Sequence, residues 1–203
     1  MQVQIGEHPV TIFALDTPTS SPVGEPGIGV VVDRAHAEAV WEIVLAGAPA
    51  GRRPVRAIGW NAFNIARLEA GTPLFHLDFG PDALPHETGV LADRVSFTKG
   101  CYPGQEVVAR MESRGKSKRR VVGLRGTTDA LPITGAQIFD ETEGVGSQVG
   151  VVTGSTIAPM RGAAIIAIAS IRTSHVAVGT RVLVNAEGEM VPAVVTALDF
   201  ELP

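Results

Sequence analysis

The chain has 203 residues with 45% hydrophobic and 19% charged side chains, enough for one large domain or two of about 100 residues. Gly (23) and Pro (14) exceed the average share yet fall short of a disordered or collagenous composition, so the excess points to many turns. The net charge of −4 hides a segregation: residues 99–125 carry eight Lys or Arg against Glu106 and Glu112, while the flanking segments are acidic.

In chain order, the first strand is expected over Val3 to Leu15, followed by a Pro/Ser/Gly-rich loop from Thr17 to Gly27 and a strand over Ile28 to Val32. Asp33 is a good N-cap for a helix that runs to about Ala46 and closes at Gly47. Ala62, Ile65, Ala66 and Glu69 recur at helical spacing over Ala62 to Ala70, with Gly71 and Pro73 as the stop. Leu74 to Phe97 reads as loop, short helix and short strand. Trp41 and Trp60 are assigned to the core.

From Val121 the texture changes to short β-branched runs between Gly, Pro and acidic turns. These are Val121–Leu124, Ala136–Phe139, Gln148–Thr153, Ala163–Arg172, Arg181–Val184 and Pro192–Leu198. Six such runs without helix signals predict a small closed or sandwich-like β domain. A boundary near Gly115 to Arg120 divides the chain into 1–118 and 119–203. The apolar stretch Ala163–Ile171 is far below the ~18 residues of a membrane helix, and Met1–Val10 lacks the features of a signal peptide, so a soluble cytoplasmic protein is expected.

Chemistry concentrates in Phe97-Thr-Lys-Gly-Cys-Tyr-Pro-Gly-Gln-Glu-Val-Val-Ala-Arg110. Pro103 suits the first position of a helix, with Gln105 and Glu106 in its first turn, which puts Cys101 just ahead of a helix N-terminus. There the helix dipole and the Lys99 charge favour the thiolate, the nucleophilic and oxidisable form of cysteine. A single cysteine excludes an internal disulfide and a four-thiolate zinc site. Five histidines at 8, 36, 76, 86 and 175 show no i, i+4 pair, so no metal site is expected; His76 and His86 are candidates to approach Cys101. With Tyr102 as the lone aromatic near the basic run Arg114–Arg120, direct nucleic-acid binding is not expected.

Lys99-Gly-Cys-Tyr-Pro-Gly-Gln-Glu106 resembles the signature of the YgfZ-type folate-binding proteins, relatives of the glycine-cleavage T-protein (aminomethyltransferase). Arg67-Leu-Glu-Ala-Gly71, Leu84-Pro-His-Glu87 and the Gly150-Val-Val-Thr153 and Gly179-Thr-Arg-Val182 stretches are similar to further segments of that family. Its Phe-Gly-x-Asp segment carries His76 in place of Gly, as Phe75-His-Leu-Asp78. The resemblance implies an α+β fold, a partial aminomethyltransferase-like folate-binding domain followed by an antiparallel β-barrel. It implies tetrahydrofolate as cofactor, bound by Glu69 and Arg67 together with Lys99, Tyr102, Gly104, Gln105 and Glu106. It further implies support of iron–sulfur cluster assembly or repair, and through it of tRNA-modifying enzymes, with cluster-assembly proteins or client enzymes as partners and Cys101 as the reactive thiolate. The position matching Cys101 is usually Asp in the T-protein branch, which favours the YgfZ side. Relatives also carry about a hundred residues ahead of the matched part, so a truncated product, a fragment and a homodimer that completes its site are all expectations. Alternatives are an aminomethyltransferase proper and a non-catalytic interaction module.

Overall fold

The computed structural model describes residues 1–15, 21–47, 51, 53–115, 117–141 and 146–202. Part of the loop expected from Thr17, and Lys116 of the basic run, lie outside the described residues. The described chain forms two compact units, Met1–Asn64 and Ile65–Pro203.

The first unit is a three-stranded antiparallel sheet, β1 (Gln2–Ile5), β2 (His8–Leu15) and β3 (Gly27–Val32), with α1 (Ala37–Ala46). The single strand expected over Val3–Leu15 is in fact a hairpin, with Gln2 opposite Thr11 and Ile5 opposite His8. Gly6, at φ 61, supplies the left-handed backbone that the reversal requires. Asp33 caps a 3-10 turn, Arg34–His36, by accepting the Ala35 N–H at 2.8 Å, and α1 follows directly. Val10 and Val40 are buried. Trp41 and Trp60, expected in the core, are 52% and 60% exposed. Helical spacing places an indole on a face of its helix but leaves open whether another layer covers that face.

The helix α2 (Trp60–Glu69) starts two residues earlier than its apolar spacing suggests. It ends in a Schellman motif: Gly71 N–H donates to Leu68 O at 2.9 Å and Thr72 N–H to Arg67 O at 3.0 Å. The motif needs a left-handed residue, and Gly71 provides it at φ 65. Two short helices follow the next loop, a 3-10 turn at Pro85–Glu87 and α3 (Leu91–Arg94), and then α4 (Gln105–Arg114). The short strand expected before Phe97 does not form.

The barrel contains all six expected strands: β4 (Arg119–Gly126), β5 (Gln137–Asp140), β6 (Gln148–Ala158), β7 (Ala164–Arg172), β8 (Arg181–Ala186) and β9 (Glu189–Thr196). They close in the order β4-β7-β6-β5-β8-β9, with β9 pairing back to β4. Val122, Leu124, Ile138, Val152, Ala169 and Ile171 fill the interior. β7 reads as a nearly unbroken apolar run because both of its faces are covered. Its Ala167, Ala169 and Ile171 point into the barrel, while Ile166 and Ile168 pack outward with Leu68, Val121, Ala158 and Phe200. That outer cluster seats the C-terminal turn of α2 on the barrel wall.

Candidate functional site

Arg67 and Glu69 sit two residues apart on the last turn of α2, and the fold separates their roles. Arg67 is buried, 1% exposed, and its Nη1 donates to Asp78 Oδ2 at 2.7 Å and to Thr72 O at 3.2 Å. Asp78 Oδ2 also accepts the Leu74 N–H at 2.8 Å, and Oδ1 accepts the Thr153 hydroxyl at 2.5 Å. Thr153 reaches it because the β6–β7 register shifts between Val152 and Gly154, a bulge that re-aims the side chain. Gly154 keeps the space clear, since a Cβ there would lie 3.1 Å from Arg67 Nη2. The Arg67 guanidinium is therefore held inside the protein, and its visible role is to anchor the 67–78 segment to the barrel.

Glu69 is half-buried on the other side of the turn. Its Oε1 accepts the Met160 N–H at 2.7 Å, and its carbonyl accepts Arg161 Nη2 at 3.0 Å. A carboxylate offers about four lone-pair positions, and the Met160 bond occupies one. His76 takes the left-handed backbone, φ 68, at the position where the resembled family has Gly. Its N–H donates to Phe79 O at 2.8 Å and its ring lies 4.0 Å from that of Phe75, so the turn is retained with a side chain added.

The Cys101 segment is shaped by polar turns. Ser96 Oγ accepts the N–H groups of Thr98 and Lys99 at 3.4 and 3.1 Å. Lys99 Nζ stands 4.8 Å from the Tyr102 ring centroid, a cation–π contact. Pro103 does not open the helix as expected. Pro103 and Gly104 form the corner of a turn closed by Gln105 N–H to Tyr102 O at 3.2 Å, with Gly104 at φ 83, and α4 begins only at Gln105. Cys101 is thus four residues ahead of the helix, free and exposed. Tyr102, Gly104, Gln105, Glu106 and Ala109 line an open depression of about 510 Å³, which gathers four of the seven expected ligand contacts. No hydrogen bond or ion pair among the described residues joins Glu69 to this depression.

The two histidines considered for a Cys/His pair are engaged elsewhere: His76 with Phe75, and His86 with Glu112, Nε2 to Oε2 at 3.2 Å. Sequence reasoning missed the roles of Asp78 and Thr153. Both stood in quoted segments, Phe75-His-Leu-Asp78 and Gly150-Val-Val-Thr153, but nothing local marks them as partners of Arg67.

Residues 119–200 match the family described as glycine cleavage T-protein C-terminal barrel domain. An aminomethyltransferase from Moorella thermoacetica is 33% identical over 87% of this chain and 46% of its own length. The tRNA-modifying protein YgfZ of Yersinia pestis is 33% identical over 65% of this chain and 38% of its own length. The crystal structure of the glycine cleavage system aminomethyltransferase T from Bartonella henselae superposes with a TM-score of 0.74 at 26% identity, covering 89% of this chain and 48% of that one. The chain spans about half the length of these relatives, or less. A six-stranded closed barrel over the matched residues, approached by a helix that carries the Arg-Leu-Glu-Ala-Gly segment, agrees with these comparisons. Residues 119–200 match the C-terminal barrel domain of the glycine cleavage T-protein, and the chain is similar over most of its length to an aminomethyltransferase and over part of it to a YgfZ protein.

Proposed function

We propose that this protein is a folate-binding accessory factor of the YgfZ type, acting in iron–sulfur cluster assembly or repair, with Cys101 as its reactive thiol. The observation that carries this reading is the free, exposed Cys101 on a loop built from Ser96, Gly100 and the Pro103–Gly104 turn, beside an open depression. Such a loop presents its thiol to another molecule rather than to a core.

Tetrahydrofolate fits the donor set at Glu69. The 2-amino-4-oxo pyrimidine ring offers two parallel N–H groups, and the Glu69 carboxylate keeps lone pairs free beside its bond to Met160. When bound, the folate supplies one-carbon or reducing chemistry. Glu69 orients the pterin, and Arg67, through Asp78, holds the segment on which Glu69 stands. Lys99, Tyr102, Gly104, Gln105 and Glu106 form a second wall for the ligand in this reading. In this reading its partners are cluster-assembly proteins or client enzymes, and its compartment is the cytoplasm. No helix among the described residues is long and apolar enough to cross a membrane.

Calorimetric titration of 5-formyltetrahydrofolate tests the ligand half. The wild type should bind saturably, and Glu69→Ala, which loses a charge-assisted contact, should bind at least about tenfold more weakly. Absence of wild-type binding would overturn it. For the thiol half, Cys101→Ala should keep folate affinity and thermal stability while failing to restore cluster-enzyme activity in a strain lacking the gene. Full restoration would remove Cys101 from the mechanism. The second reading, an aminomethyltransferase, is favoured by the aminomethyltransferase relative that matches 87% of the chain. It requires the protein to form methylenetetrahydrofolate and ammonia from an aminomethyl donor.

A further inference from the structure

The connection between β6 and β7 reaches the C-terminal end of α2, and it does more there than reverse the chain. It contains a 3-10 turn, Pro159–Arg161, and is closed by Ala163 N–H donating to Ala158 O at 2.9 Å. Pro159 has no N–H, so the first donor of the turn belongs to Met160, and that donor goes to Glu69 Oε1 at 2.7 Å. Arg161 takes hold of the same residue from its other end. Its Nη2 donates to the Glu69 carbonyl at 3.0 Å, one of the carbonyls a helix leaves without an internal partner at its C-terminus, where the dipole also favours a cation. The Arg161 guanidinium is in turn held 5.5 Å from the Phe200 ring centroid and 3.6 Å from Glu201 Oε1. Phe200 is fully buried in the cluster that seats α2 on the barrel. The backbone of residue 160 is therefore anchored while its side chain is not: Met160 is 86% exposed, the most exposed large apolar side chain among the described residues.

We propose that Met160 is a ligand-contacting residue of the Glu69 site, its thioether lying on the face of the flat ring whose N–H groups the Glu69 carboxylate accepts. The inference rests on the reading of Glu69 as a pterin ligand and adds to it a side chain from the barrel. Two parallel N–H···O bonds hold a ring in the plane of the carboxylate, which leaves the two faces of the ring to be covered by other groups. The Met160 nitrogen is already within hydrogen-bond distance of that carboxylate, and its Cα is one bond, about 1.5 Å, further on. A side chain with three rotatable bonds that starts there reaches a ring bound at the carboxylate. Thioether sulfur is polarizable and makes favourable contacts with aromatic rings, so it suits a heteroaromatic face, and its flexibility lets it close after the ligand has entered. An apolar side chain left in water beside a carboxylate also loses exposed surface when the ring arrives, a gain that the carboxylate alone does not provide. A planar ring with adjacent N–H donors matches both groups at once.

The test uses the full chain labelled with 13C at its four methionine methyl groups, with 5-formyltetrahydrofolate as the probe. Two-dimensional NMR should show the Met160 methyl shifting saturably, with the midpoint that calorimetry gives, while Met1 and Met190 stay in place and report that the fold is intact. So exposed a side chain supports no core, so Met160→Ala keeps the fold. It should weaken binding about three- to tenfold, and Met160→Leu, which keeps the apolar reach without the sulfur, should fall between it and the wild type. Wild-type protein that binds no folate, or a Glu69→Ala variant that binds as the wild type does, would overturn the Glu69 reading and this inference with it. Saturable wild-type binding that Glu69→Ala weakens, combined with a Met160 signal that does not move or a Met160→Ala variant of undiminished affinity, would overturn the Met160 assignment alone.

Discussion

Asp78→Ala should cost about 3–5 kcal/mol in the stability of the unit spanning Ile65–Pro203, the largest loss expected from a single truncation outside the barrel core. The side chains of Arg67 and Asp78 are 2% and 0% exposed, so removing the carboxylate takes away the counter-charge that lies 2.7 Å from a guanidinium held inside the protein. Two further contacts go with it, to the Leu74 N–H and to the Thr153 hydroxyl. Thr153→Val removes one neutral-to-charged hydrogen bond and should cost about 1.5–3 kcal/mol, less than Asp78→Ala. Urea unfolding followed by circular dichroism at β-sheet wavelengths measures both, and an Asp78→Ala variant within about 0.5 kcal/mol of wild type would refute the buried-charge argument. The same comparison bears on the ligand reading. Asp78 touches no ligand in it, so a folded Asp78 variant that binds folate poorly would identify Asp78 as a positioning residue for Glu69.

Gly71→Ala is the second large expectation, and its cause is steric. The residue is at φ 65, where an L side chain costs about 1 kcal/mol or more, and a Cβ would stand 1.8 Å from the carbonyl oxygen of Leu198. A backbone carbonyl cannot swing aside as a side-chain tip does. The Schellman motif that ends α2 and the approach of the Leu198 segment therefore depend on the same absent atom. We expect a loss of more than about 2 kcal/mol, read from the same unfolding curves. A control at Gly104 separates conformation from contact. It too is left-handed, but nothing lies within 4 Å of its hypothetical Cβ, so Gly104→Ala should show the conformational cost alone.

The barrel was legible in the sequence because each strand announces itself locally, by β-branched runs between Gly, Pro and acidic turns. Strand ends were less so: β6 continues to Ala158, five residues beyond its expected end, because the bulge at Thr153 interrupts the pattern without ending the pairing. The hairpin within Val3–Leu15 was missed although Gly6 marks it, since apolar residues continue on both sides of the turn. At α4 Pro103 was expected to open the helix, and the left-handed Gly104 makes the Pro103–Gly104 pair a turn corner instead. The exposed Trp41 and Trp60 show that amphipathic spacing names a face and not its cover. Least legible was the Arg67–Asp78–Thr153 assembly. Its members are separated by 11 and 75 positions, and only the closed barrel brings β6 to the loop after α2. For Cys101, composition foretold an exposed, loop-borne thiol, while its distance from the helix start depended on two turn residues that composition does not order.

The two sheets differ in one topological respect that bears on handling the protein. Every strand of the barrel has a hydrogen-bonded neighbour on both sides, so the closed ring presents no free row of backbone donors and acceptors. The three-stranded sheet has two margins, and one of them is β3, whose sequence Gly-Ile-Gly-Val-Val-Val carries no charge, with Ile28 and Val31 68% and 60% exposed. With no strand on its outer side among the described residues, uncharged and rich in β-branched residues, the segment 27–32 has the makings of a template on which further chains accrete. Precipitation on concentrating the protein should thus begin from this margin, while the barrel remains a bystander to it.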